Sequence, residues 1–122
     1  MANVVKWFEI PSVDFERAVQ FYNTFLNTEL EETDVWGYPA ALFQNEGEGV
    51  TGALVCSDKF KVTQEGSILY FEGNDKINEM LARVEAAGGT IDTPKTSLGD
   101  ELGFYALIID TEGNKIGIYS DY

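Results

Sequence analysis

Histidine is absent from all 122 residues, so the commonest general base and the commonest transition-metal ligand are both missing. The chemistry left rests on carboxylates, one thiol and a large aromatic set. Glu9 and Glu72 stand out because each closes the same kind of triplet, Trp7-Phe8-Glu9 and Tyr70-Phe71-Glu72. Paired carboxylates in a poorly hydrated hollow could have one proton affinity raised, and that member would serve as a general base. The competing reading leaves both at strand ends in water, because clustered carboxylates are often only structural. Cys56 is the sole cysteine. A nucleophilic thiol needs a base or a cationic neighbour, so its expected role is that of a small buried residue. Trp7 and Tyr70 either fill a pocket or form walls that stack on a flat or cationic ligand. Trp36, Tyr38, Phe43, Phe60, Phe104 and Tyr105 are expected mostly in core or dimer contacts. Lys115 could meet an anion at a pocket mouth, or simply face water.

Eight Lys and Arg stand against 21 Asp and Glu, a formal charge of −13. Duplex nucleic acid would be repelled, because its affinity comes from cations neutralising phosphates. A neutral or cationic small molecule suits this surface better. A lone cysteine excludes an internal disulfide and points to a reducing, cytoplasmic compartment. No apolar run approaches a membrane span, and the first residues lack the layout of a signal peptide. With 44% hydrophobic residues, one compact domain over 1–122 is expected.

The elements that would position these residues come in two matching sets. Residues 4–10 are short, apolar and aromatic, closed by Pro11, and read as a strand. Ser12 and Asp14 offer N-cap oxygens for a helix whose stripe is Phe15, Ala18, Val19, Tyr22, Phe25 and Leu26. Three weaker strands follow at 29–33, 38–43 and 52–56, then a polar connection over 57–66. The order then repeats. Residues 67–72 read as a strand, Asn74 or Asp75 as a cap, and Ile77, Met80, Leu81 and Val84 as a helical stripe ended by Gly88-Gly89. Strands at 90–93, 104–109 and 115–119 complete the set. The units 1–57 and 67–122 are each strand, helix, strand, strand, strand, and this duplication is the strongest signal in the chain. On the first strand Val4, Phe8 and Ile10 share the face assigned to the helix. Val5, Trp7 and Glu9 share the face assigned to a cavity.

Two βαβββ units in this length resemble the vicinal oxygen chelate superfamily, which includes glyoxalase I, bleomycin-resistance proteins and extradiol dioxygenases. Phe8-Glu9-Ile10-Pro11 with Asp14, Arg17-Ala18 and Phe21-Tyr22 resembles the first strand and helix of small members. The run from Leu81 to Gly89 resembles the end of their second helix. Asp110-Thr111-Glu112-Gly113-Asn114 resembles their closing hairpin, with Thr111 where proline is usual. The resemblance implies an α+β fold, a curved eight-stranded mixed sheet with two outer helices, and assembly as a homodimer.

In catalytic members four side chains, usually His, Gln or Glu, hold a divalent ion. Carried over, those positions fall on Trp7, Leu54, Tyr70 and Gly117, with Ala53 and Leu69 as one-residue alternatives to Leu54 and Tyr70. None is a good ligand, so no metal and no cofactor are expected. Arg17 and Arg83, both assigned to water-facing helix sides, leave no cation for a glutathione carboxylate. The expected ligand site comprises Trp7, Glu9, Leu54, Cys56, Tyr70, Glu72 and Gly117, with Gly117 opening space. The function expected is metal-independent binding of a flat, apolar or cationic small molecule. The alternatives are a lyase or isomerase using Glu9 or Glu72, a glyoxalase-like enzyme with unrecognised ligands, and an assembly module whose pocket is filled by Trp7 and Tyr70.

Overall fold

A computed structural model describes residues 4–45, 47 and 49–122 of the chain. The first unit runs β1 (Trp7–Pro11), α1 (Phe15–Phe25), β2 (Glu31–Thr33), β3 (Ala40–Leu42) and β4 (Thr51–Val55). The second repeats it as β5 (Tyr70–Glu72), α2 (Ile77–Ala86), β6 (Thr90–Ser97), β7 (Phe104–Ile109) and β8 (Lys115–Ser120). Among the described residues eight strands and two helices make the expected α+β fold. Hydrogen bonding divides the strands into two four-stranded sheets, ordered β1-β4-β3-β2 and β5-β8-β7-β6. In each, the first and last strands of the unit pair in parallel, and the remaining neighbours are antiparallel. No helix among the described residues is long and apolar enough to cross a membrane.

Helix α1 begins as its sequence dictates, with the Asp14 side chain accepting the Arg17 N–H at 3.2 Å. Its stripe of Ala18, Val19, Tyr22 and Phe25 is buried, and Phe21 joins it at 1% exposure. Helix α2 starts differently from expectation. Lys76 occupies the N-cap position without a side-chain cap. Asn74 and Asp75 lie outside it with φ of 49° and 63°. Asp75 is engaged elsewhere: its N–H donates to the Ser120 hydroxyl at 2.8 Å, and its carboxylate accepts that hydroxyl at 3.1 Å. Strand β6 runs on to Ser97, past Pro94, with shifts of register between Ile91 and Thr96. A proline without an N–H is tolerated there because β6 is an edge strand.

Both helices pack on the same side of their sheets, and one core joins the two units. It includes Ile10, Tyr22, Phe25, Leu54, Leu81, Val84, Ile108 and Ile118, with Phe8 and Phe71 packed against it. Polar contacts fasten the units as well. Glu112, in the β7–β8 turn, accepts the Arg17 Nε–H at 2.8 Å and the N–H groups of Val13 and Asp14 at 2.8 and 2.6 Å. Asp110 accepts the Tyr22 hydroxyl at 2.6 Å, and burial together with that carboxylate pushes the phenol well above its ordinary range. Arg17 therefore does not simply face water. Nor does Arg83, whose Nε–H donates to the Phe25 carbonyl at 3.1 Å and closes the end of α1. Both arginine positions fall off the apolar stripes, which predicts a solvent-facing side chain. Each instead uses its length to reach the other unit.

Candidate functional site

Strand alternation sends Trp7 and Glu9 of β1, and Tyr70 and Glu72 of β5, to the sheet faces away from the helices. Trp7 is 42% exposed and its indole N–H donates to the Glu9 carboxylate at 3.2 Å. Its ring meets Trp36 edge-on at 6.2 Å, Trp36 meets Tyr38 at 6.2 Å, and Tyr38 meets Phe60 at 6.0 Å. Tyr38 and Phe60 of this run, with Leu42, pack against a small apolar patch of Ala40, Ala53 and Val55.

Several residues expected in the hollow stand elsewhere. Leu54 is fully buried in the helix-side core and pairs with Ile10 across the parallel β1–β4 ladder. Its neighbour Ala53 pairs with Glu9 and takes the outer face. A one-residue difference in register exchanges the faces of a strand, and that is the whole of the correction. Gly117 opens no space. A Cβ there would overlap the Tyr70 ring, so the phenol already occupies the room the glycine leaves. Cys56 lies just beyond β4, half-buried, with its thiol directed to the Val13 carbonyl at 3.9 Å. Glu9 and Glu72 are both exposed, and Glu72 accepts the Asn74 N–H at 3.0 Å. Neither sits in the poorly hydrated hollow that a general-base role requires.

The open spaces lie along the seam where β1 and β5, the edge strands of their sheets, meet side chain to side chain. Phe8 and Phe71 cross it edge to face at 5.9 Å, and Phe43 packs on them at 5.3 and 5.6 Å. One cavity of about 650 Å³ has Phe8, Phe43, Tyr70 and Phe71 as aromatic walls, with Asn27, Gln44, Asn45 and Asn74 among its polar lining. Glu72 is the only charged residue among the described residues that line it. A second cavity of about 380 Å³ is bounded by Glu9, Lys61, Ser67, Ile68, Lys115 and Ile116. Phe8 and Leu69 line both and form the partition between them. The seam thus brings Tyr70 and Glu72 together, gives Glu9 to the other chamber, and leaves Trp7, Leu54, Cys56 and Gly117 outside both. Lys61 is not legible as a site residue in the sequence, because the connection over 57–66 has no periodicity to give its side chains a direction. The scarcity of cations was the one available signal.

The positions where the resemblance implies metal ligands are occupied by Trp7, Ala53, Tyr70 and Gly117. An indole, a methyl group, a phenol and a glycine do not fit a divalent ion. Among the described residues no three His, Cys, Asp or Glu side chains gather as a metal site.

The sequence profile of the Glyoxalase/Bleomycin resistance protein/Dioxygenase superfamily matches residues 4–118. No curated protein matches the sequence. Among solved structures, a glyoxalase/bleomycin resistance protein from Albidiferax ferrireducens T118 superposes with a TM-score of 0.79 at 17% identity, covering 97% of this chain and 99% of its own. A glyoxalase/bleomycin resistance protein/dioxygenase family enzyme from Burkholderia phytofirmans PsJN gives 0.70 at 14% identity, with coverages of 96% and 98%. Glyoxalase I from Zea mays gives 0.70 at 22% identity, with 94% of this chain covering 45% of that one. At these identities the likeness is one of fold.

Proposed function

Because this chain belongs to the Glyoxalase/Bleomycin resistance protein/Dioxygenase superfamily, we propose that it is a metal-independent small-molecule-binding protein of the glyoxalase/bleomycin-resistance type. The ligand is flat and apolar or cationic. The observation that carries this reading is the 650 Å³ cavity, whose aromatic walls have Glu72 as their single charge among the described residues. A flat molecule can lie against Phe71 and Tyr70 while its positive edge meets the Glu72 carboxylate. The donor set at the four ligand-equivalent positions supports independence from metal. The lyase or isomerase reading places Glu9 or Glu72 in a poorly hydrated hollow, whereas both are exposed and line different chambers. A cytoplasmic homodimer completes the proposal. It is favoured by the unpaired thiol, by the outer sheet edges β2 and β6 and by the exposed Val35, Trp36 and Trp7.

Thermal-shift titration with N-methylacridinium, neutral anthracene-methanol and anionic naphthalenesulfonate tests the ligand class. The cation and the alcohol are expected to raise the melting temperature and the sulfonate is not. Tyr70→Ala should weaken binding about tenfold, the scale of one aromatic contact with a charge beside it. Trp7→Ala, outside the chamber, should leave it unchanged. Metal analysis and light scattering accompany the titration. A stoichiometric divalent ion, or a concentration-independent mass of one chain, would each remove its part of the proposal.

A further inference from the structure

We propose that the smaller chamber is a separate binding site for a compact organic monocarboxylate with an apolar body, such as an aromatic acid. Cations are scarce in this chain, eight against 21 acidic residues, yet two of them, Lys61 and Lys115, line this one chamber. The larger chamber has none among its described lining.

The groups open to an anion are the two lysines and a serine. Lys61 has no carboxylate within ion-pairing distance among the described residues. Lys115 lies 3.8 Å from Asp92, a loose pair, and its side chain is only 26% exposed. Among the described residues Glu9 is the one acid of the lining; it accepts the Trp7 indole N–H and keeps its charge, which leaves the two lysines in excess. The Ser67 hydroxyl makes no hydrogen bond among the described residues. Asn114 cannot compete for a ligand. Its amide N–H groups donate to the Pro11 carbonyl and to Asp110, and its oxygen accepts the Thr63 N–H.

Apart from Thr63, the rest of the described wall is hydrocarbon, with Val5, Ile68, Leu69 and Ile116 among it. A free phosphate would leave that surface against water, and a neutral hydrocarbon would leave the Lys61 ammonium without an anion beside it. A carboxylate on a small ring satisfies both. A space of about 380 Å³ admits about a dozen non-hydrogen atoms with room for retained water. The half-buried position of Lys115 strengthens the charge-assisted hydrogen bond relative to one in bulk water.

The test is fluorine NMR titration of the whole chain with 4-(trifluoromethyl)benzoate and with the matching benzyl alcohol. The carboxylate is expected to bind at least tenfold more tightly than the alcohol. Lys61→Gln and Lys115→Gln should each weaken the carboxylate about tenfold, the scale of one hydrogen bond to a charged group. Lys95→Gln, whose ammonium lies over the Phe104 ring instead, should leave it unchanged. Ile68→Trp should abolish binding by filling the space, and amide shifts should centre on Ser67, Ile68 and Lys115. Equal binding of acid and alcohol overturns the proposal. So does unaltered binding in both lysine variants, or a shift map centred on Tyr70 and Asn74.

Discussion

At Glu112 a buried carboxylate accepts hydrogen bonds from two backbone N–H groups, from Arg17 and from the Thr111 hydroxyl. Burial alone would raise its proton affinity, but these donors outweigh it and hold the carboxyl below its ordinary range. The sign of the pH effect follows from that. A folded-state value below the unfolded one gives stability that is full above the ordinary carboxylate range, about pH 4.3, and is lost as acid carries the pH through the lower, folded value. Glu112→Gln is expected to cost about 2–3 kcal/mol at neutral pH and to flatten the acid limb of stability. Thermal denaturation of both proteins between pH 7 and pH 3 checks this, and parallel acid limbs would refute it. Arg17 contributes from a side chain half open to water, so its half of the pair is screened.

Between elements, the contact from Arg83 of α2 to the last carbonyl of α1 shows how one helix can finish another. A cation at a helix C-terminus also meets the negative end of its dipole. Arg83→Ala is expected to lower stability by about 0.5–1 kcal/mol. It should also speed hydrogen exchange at Leu26 and Thr28, whose amides close the final turn. Unchanged exchange there would mean that the arginine is only a surface group. The helices were legible because their stripes repeat at 3.6 residues, and the duplicated order placed the strands around them. Strand β4 was not legible in the same way. Gly52, Ala53, Leu54 and Val55 are buried on both faces, so no alternation of polar and apolar residues tells Ala53 from Leu54. The Tyr70 ring over Gly117 depends on a parallel pairing 47 residues apart in sequence, which no local pattern records. The chambers were hidden for a related reason: their walls come from a seam between two sheets, and periodicity describes single strands.

Across the whole molecule, residues of both units share one core, and Glu112, Asp110 and Arg83 each reach from the second unit into the first. Neither half can bury its apolar face without the other. Denaturation is therefore expected to be a single cooperative transition, with far-ultraviolet dichroism and tryptophan emission superposing. Two separated transitions would show the units to be independent. The seam adds a property that belongs to neither chamber alone. Phe8 and Leu69 present one side to each chamber, in an interior too dense to absorb displacement. A ring swung aside to admit a guest on one side intrudes on the other. For the two guests proposed above, occupancies of the chambers are expected to be thermodynamically linked and antagonistic, the factor by which the first guest weakens the second equalling the factor by which the second weakens the first.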